Sequence, residues 1–203
     1  YCEVYVADKV APSCAVPGNV HYLALDLRAD DYTALDEARP LDKLIITAGF
    51  GKLALFEHYS EELLRTMMDV NATGVMRVIQ RYYNRIHSRE DFYVGVMVSV
   101  AGFMSSPFFA VYGASKAALK IFIESLNVEL LKAGCTNQIL NVSAGAVKGT
   151  SFYGGDTAVD EITPFAEEIL TRMMRKEDLY IVKYEEVFAE VFERYHQDFR
   201  KEG

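Results

Sequence analysis

Tyr112 and Lys116 stand four residues apart in a segment patterned as a helix, so both side chains project from one face. An ammonium near a phenol stabilises the phenolate and draws its pKa down from about 10. A tyrosine tuned in that way gives and takes protons near neutral pH. Ser99 ends the apolar run YVGVMVS. A hydroxyl at the carboxyl end of an inner strand faces a ligand crevice and can donate to a carbonyl or alkoxide oxygen. Asn71 and Gly74 interrupt a helical pattern over residues 60–86. Gly there costs about 1 kcal/mol relative to Ala, and such breaches of local rules gather at functional sites. Each residue also has a plainer reading. Tyr112 and Lys116 suit an amphipathic helix with a solvated Lys, Ser99 suits a loop cap, and Gly74 suits close packing beside a solvent-facing Asn71.

The elements that must position these groups are visible in the hydrophobic pattern. Near-continuous apolar runs at 3–7, 20–25, 43–47, 93–99 and 139–143 read as strands, and runs such as KLIIT and ILNVS suit a parallel sheet covered on both faces. Helical patterns at 30–39, 60–86 and 112–133 alternate with them. Ser60 caps the second, and Gly134 closes the third in a left-handed conformation. Repeated strand–helix–strand order gives right-handed crossovers and a doubly wound α/β sheet. Beyond Ala144 the pattern changes. Gly145, Gly149, Gly154 and Gly155, with Phe152 and Tyr153, read as a mobile loop. Helices over 164–176 and 184–198, flanking a short edge strand at 179–182, follow it. The whole of 1–203 reads as one domain, with 145–203 as substrate loop and C-terminal helical part. Ligands in such sheets sit beyond the carboxyl ends of the strands, which selects 48–51, 100–111 and 144–155.

Composition narrows the function classes. The 203 residues are 51% hydrophobic with a net charge of −8, so disorder is excluded. An acidic chain with no basic run is a poor partner for nucleic acid or anionic membrane. No stretch reaches the roughly 18 apolar residues of a membrane span. Cys2, Cys14 and Cys135 form an odd set without C-x-x-C, which suits reduced thiols in the cytoplasm. The four histidines are scattered away from ligand spacing, so no metal site is expected. His58 and His87 read as surface residues, and His21, in an apolar strand, as a packed imidazole. Residues 60–86 and 112–133 carry apolar side chains around more of the helix than one sheet-facing stripe needs, which predicts a homodimer or homotetramer through these helices.

In order, the chain carries Leu25-Asp26-Leu27, Thr47-Ala48-Gly49, Asn71-Ala72-Thr73-Gly74, Ser99-Val100-Ala101-Gly102 and Tyr112-Gly113-Ala114-Ser115-Lys116, with Tyr112 thirteen positions after Ser99. This series resembles the classical short-chain dehydrogenase/reductase family over roughly residues 1–150. The resemblance implies a Rossmann-like fold and an NAD(P)-dependent oxidoreductase acting on an alcohol or carbonyl. It implies a catalytic tetrad. Tyr112 exchanges the proton, Ser99 holds the substrate oxygen, Lys116 tunes Tyr112 and binds the nicotinamide ribose, and Asn71 holds a relay water. It also places Asp26 and Leu27 at the adenine, Ala48 and Gly49 along the adenosine ribose, and Val147 at the nicotinamide amide. Asp8, at a strand end, would accept the two ribose hydroxyls and repel a 2′-phosphate. That favours NAD, while the neighbouring Lys9 keeps NADP as the alternative.

The chain departs from the family pattern in places. The first strand and the T-G-x-x-x-G-x-G loop, which would lie about 25–30 residues upstream, are expected in a longer protein of which this chain is a portion. The N-N-A-G motif reads Ile46-Thr47-Ala48-Gly49, and P-G-x-V-x-T reads Ala144-Gly145-Ala146-Val147-Lys148-Gly149-Thr150. A usual closing glycine-rich strand is replaced by a helix, a short strand and another helix. These departures leave a second reading open, a non-catalytic fragment or interaction module on the same fold.

Overall fold

The computed structural model describes residues 2–147, 150 and 158–202. Strands β1 (Val4–Asp8) and β2 (Val20–Ala24) pair in parallel, with Val4 opposite Val20 and Asp8 opposite Ala24. A second, four-stranded sheet runs β3 (Lys43–Ile46), β4 (Tyr93–Met97), β5 (Ile139–Ser143) and β6 (Leu179–Ile181), all parallel. Each step across this sheet needs a crossover, and the chain supplies helices for it. α1 (Glu61–Met68) and α2 (Gly74–Ile86) join β3 to β4. α3 (Ala110–Lys132) joins β4 to β5, and α4 (Val159–Met174) lies between β5 and β6. α5 (Ala189–Gln197) and α6 (Phe199–Glu202) end the described chain.

The two faces of the sheet explain the unbroken apolar runs. On one face Ile46, Val94, Val96 and Ile139 pack with Val75 and Ile79 of α2 and with Leu119, Ile123 and Leu130 of α3. On the other, Leu140 and Val142 pack with Ile169 and Met173 of α4. Ile139 and Leu140, adjacent in β5, therefore face opposite helix layers, which is why the run opens apolar on both faces. Gly95 makes room on the second face, since a Cβ there would meet Met173 Sδ at 2.6 Å. Leu25, just beyond β2, joins the first core beside Ile46, so one apolar layer serves both sheets.

Strand limits fall within two residues of the sequence reading, and the edge strand at 179–182 is β6. The helices differ more. Residues 30–39 form only a 3-10 turn, Thr33–Ala38. Its start is fixed by the Asp31 carboxylate, which accepts from the Thr33 amide and hydroxyl at 2.8 and 2.9 Å. The span 60–86 is not one α-helix. Ser60 caps α1 by accepting from the Leu63 amide at 3.1 Å, and a π-type turn, Asp69–Thr73, then separates α1 from α2. α3 ends at Gly134, with φ of +75°. α4 begins five residues before Pro164, which lies inside it. The last helical span opens as a π-type turn, Tyr184–Phe188, before α5. His21 is exposed rather than packed. It bonds Glu3 at 2.7 Å and stacks on Tyr5, because this side of the two-stranded sheet faces solvent. His58 and His87 are exposed. Most of the loop expected at 145–155, and 151–157 of the substrate loop, lie outside the described residues.

Candidate active site

Ser99 sits two residues beyond β4, where its Oγ accepts from the Ala101 amide at 3.1 Å and donates to the Ala144 carbonyl at 3.4 Å. The first bond starts a tight turn, Val100–Gly102. That turn lies directly on α3. A Cβ on Gly102 would meet the carbonyl carbon and oxygen of Lys116 at 2.9 Å, and one on Gly113 would meet the Ala101 oxygen at 3.0 Å. Two glycines thus let the backbone carrying Ser99 rest on the helical turn carrying Tyr112 and Lys116. Sequence reasoning did not single out Gly102 or Gly113 for this, although each adjoins a motif residue.

Tyr112 and Lys116 lie in the first two turns of α3, and both are buried. Lys116 Nζ lies 5.9 Å from the Tyr112 ring centroid and donates to the Met97 carbonyl, the last of β4, at 2.9 Å. Burial disfavours the ammonium and brings its pKa down to about 8. Ser115, between them, donates to the Tyr112 carbonyl at 2.7 Å and accepts from Asn71 Nδ2 at 3.1 Å.

Asn71 belongs to the π-type turn, and it is completely buried rather than solvent-facing. Its Oδ1 accepts from the Phe50 amide at 2.9 Å, and its Nδ2 donates to the Phe50 carbonyl at 2.8 Å. Both amide protons are therefore in use, and Oδ1 keeps one lone pair for a further donor. Gly49 passes between the two helices. At its φ of +155°, a Cβ would meet Lys116 Nζ at 3.2 Å and Asn71 Oδ1 at 3.3 Å. Gly74 admits Leu27, whose Cβ would lie 2.7 Å from a Cβ added there.

A cavity of about 700 Å³ opens over these groups and takes in Gly49, Ser99, Tyr112, Lys116 and Val147. Much of its lining is apolar, built from Met104 and Phe109 and from Ile162, Phe165, Ala166 and Ile169 of α4. The α4 residues recur at i, i+3, i+4 and i+7, the stripe one helix face presents. Asn71 stands behind Gly49, and Ala48 is partly buried against the main core. Asp8 is the last residue of β1 and Asp26 lies two residues beyond β2, and the Leu25 amide donates to the Asp8 carbonyl at 3.0 Å. Asp8 Oδ1 accepts from the Val10 amide at 2.9 Å. Arg28 grips the Asp26 carboxylate, with Nη2 at 2.7 Å, and holds its pKa down to about 2. Asp8, Asp26, Leu27, Ala48 and Asn71 do not line the cavity itself.

These residues fit a nicotinamide dinucleotide. Gly49 offers bare backbone beside Lys116, two carboxylates stand at neighbouring strand ends, and Val147 is among the residues that line the cavity. Among the described residues no group of three His, Cys, Asp or Glu could hold a metal ion, and no helix is long and apolar enough to cross a membrane.

The short chain dehydrogenase family profile matches residues 16–157. Over 122 residues the chain is 37% identical to 17-beta-hydroxysteroid dehydrogenase type 1 of Homo sapiens, a match covering 58% of this chain and 37% of that protein. The mouse counterpart, from Mus musculus, is 33% identical over 141 residues, covering 68% of this chain and 40% of its own length. The chain thus spans about two fifths of the length of these relatives. In three dimensions it is similar to a short-chain dehydrogenase from Novosphingobium aromaticivorans, with a TM-score of 0.78 at 22% identity over 98% of this chain and 78% of that one.

Proposed function

Because the chain belongs to the short chain dehydrogenase family, we propose that it forms the catalytic part of an NAD(P)-dependent oxidoreductase that interconverts an apolar alcohol and its ketone. The observation that carries this reading is the meeting of Ser99, Tyr112 and Lys116 at one cavity that is otherwise lined largely by apolar side chains. A bound nicotinamide dinucleotide supplies or accepts the hydride. Lys116 and Val147 would hold its nicotinamide half, with Asp8, Asp26, Leu27, Ala48 and Gly49 along the adenosine half.

The chain's own residues handle the proton. In the reductive direction the Tyr112 hydroxyl gives its proton to the substrate oxygen, and in the oxidative direction it takes one back. Ser99 Oγ, whose present bond to the Ala144 carbonyl is long at 3.4 Å, turns to donate to that same oxygen. Lys116 favours the tyrosinate when charged, and its lowered pKa lets it change charge near pH 8. Asn71 offers the free lone pair of Oδ1 to a water in the relay. The apolar wall of Met104, Phe109 and Phe165 selects a hydrophobic substrate, in keeping with the hydroxysteroid named in the human relative.

Asp8 supports NAD over NADP, exposed apolar residues of α3 support a homodimer, and the acidic, thiol-bearing composition supports a cytoplasmic enzyme free of nucleic acid. A panel of hydroxysteroids, retinoids and small alcohols, followed at the nicotinamide absorbance, tests the reading. Turnover of the hydrophobic members is expected. A protein that binds dinucleotide but turns over no member would favour the interaction-module reading.

A further inference from the structure

The C-terminal segment reaches both loops of the candidate site through one row of aromatic rings. It leaves the sheet at Val182, whose amide donates to the Ser143 carbonyl at 2.9 Å. Lys183 then turns the chain in a left-handed conformation, with φ of +57°. The π-type turn Tyr184–Phe188 follows, and it brings Tyr184 and Phe188 to the same side as Phe192 of α5. Phe192 lies 6.3 Å from Tyr184 and 5.8 Å from Phe188, centroid to centroid.

Two of these rings meet different loops. Phe188 lies over Gly145, where a Cβ would come within 3.3 Å of its Cζ. Phe192 stacks on Phe103 at 5.6 Å with planes 13° apart. Phe103 closes the turn begun by Ser99, its amide donating to the Val100 carbonyl at 2.9 Å. One helical turn further on, Tyr195 accepts from the Ser105 amide at 3.0 Å. The two loops are themselves joined at Ala144, whose carbonyl accepts from Ser99 Oγ and from the Val100 amide. Stacked rings of this kind contribute about 0.5–1.5 kcal/mol beyond their buried area.

We propose that Phe188 and Phe192 are positioning residues, clasping the 99–105 and 144–147 loops together so that Ser99 is held toward the substrate oxygen. Neither ring touches the reacting atoms, and both act through Ser99 and Ala144. Gly145 gives the ring room, since a Cβ there would press on Phe188 Cζ at 3.3 Å and the ring would have to give by a few tenths of an ångström. The role assigned to Ser99 rests on the oxidoreductase reading, whereas the clasp itself does not.

The test uses the purified protein with Phe188→Ala and Phe188→Leu, each made also in a Ser99→Ala background. Two readouts are needed, kcat and KM for the substrate, and amide hydrogen exchange. Phe188→Ala is expected to lower kcat by about tenfold with little change in KM, and Phe188→Leu by less. In the Ser99→Ala background the same changes should cost less than about twofold, since coupled residues are not additive. Exchange should quicken at 99–105 and 144–147 while the β4 amides at 94–97 stay protected. Equal losses in both backgrounds, or unchanged exchange in the two loops, would overturn the proposal. If Phe188→Ala loses its fold, seen as rapid exchange at 94–97, Phe188→Leu decides by the same criteria. A parent protein without turnover would sink the oxidoreductase reading, and exchange would still decide whether the clasp exists.

Discussion

Gly102 lies so close to Lys116 that a Cβ on it would stand 2.9 Å from the lysine's carbonyl carbon and oxygen. The contact is backbone to backbone, so neither side can yield by rotating a side chain. It sets the distance between the Ser99 turn and the helical turn that carries Tyr112. The first prediction follows from it. Gly102→Ala should cost about 1–3 kcal/mol of stability, the usual price of forcing a methyl into a packed site, and should lower kcat by more than it raises KM. Urea unfolding with steady-state kinetics checks both, and a variant with parental stability and kcat would show that the contact relaxes freely.

Tyr112→Phe removes the only hydroxyl on the ring and leaves its packing against Phe109, 5.6 Å away between centroids. Turnover should fall by at least about a hundredfold, the scale of a lost general acid. Dinucleotide affinity measured by calorimetry should stay nearly unchanged. Full activity in this variant would remove Tyr112 from the proton transfer.

Lys116 should leave a mark on stability as well as on rate. Its amine titrates near 10.5 when unfolded and at about 8 when folded, because burial penalises the charge. Between these values the unfolded chain binds a proton that the folded chain lacks, so stability rises with pH. The contribution is complete above pH 10.5 and lost as pH falls through about 8. Relative to Lys116→Met, the parent should gain on the order of 3 kcal/mol across that window. Paired urea titrations in the absence of dinucleotide measure the difference and cancel the other titrating groups. A flat difference would mean that the amine is solvated in the folded state.

How far the sequence led can be traced residue by residue. Ser99, Tyr112 and Lys116 were legible because strand ends, helical spacing and a thirteen-residue interval are one-dimensional facts, and Ser60 was legible as a cap for the same reason. Asn71 was marked as anomalous, but the π-type turn that buries it depends on a shift in backbone hydrogen bonding that residue types do not encode. Gly102, Gly113 and the Met97 carbonyl escaped notice because their roles are contacts between elements distant in the chain. The acidic 30–39 segment and His21 were misread where tertiary context overrode a local pattern. A carboxylate turn shortened the helix, and a two-stranded sheet left the imidazole in water.

Cofactor choice is predicted to turn on Asp8. Its carboxylate stands at the end of β1, oriented by the Val10 amide, where a 2′-phosphate would meet like charge. NAD should be used in preference to NADP, and Asp8→Ala should narrow the ratio of kcat/KM values by about tenfold, a change of about 1.4 kcal/mol. Lys9→Ala should widen it. A parent enzyme that takes NADPH at least as well as NADH would give Lys9 the deciding role.

The last prediction concerns assembly. Ile121, Val128 and Leu131 of α3 are exposed by 56%, 50% and 68%, although their neighbours Ile123, Leu126 and Leu130 are buried in the core. Positions 121 and 128 are two turns apart on one side of the helix, and 131 extends the same stripe. In α2, by contrast, Val78, Ile79 and Tyr82 are buried, Met76 and Tyr83 are half-buried, and the exposed positions are the polar Gln80 and Asn84, so the fully exposed apolar side chains of the two helices are those of α3. The interface therefore narrows to α3. Apolar stripes in water mark interaction sites, and the simplest way to close one is a two-fold axis that lays the helix against its copy. The protein should be a dimer by light scattering at tens of micromolar, and Leu131→Glu with Val128→Lys should yield a folded monomer. The change places charges where each helix must desolvate against the other, while leaving the core side of α3 untouched. A monomeric parent, or an unchanged dimer in the double variant, would move the interface elsewhere.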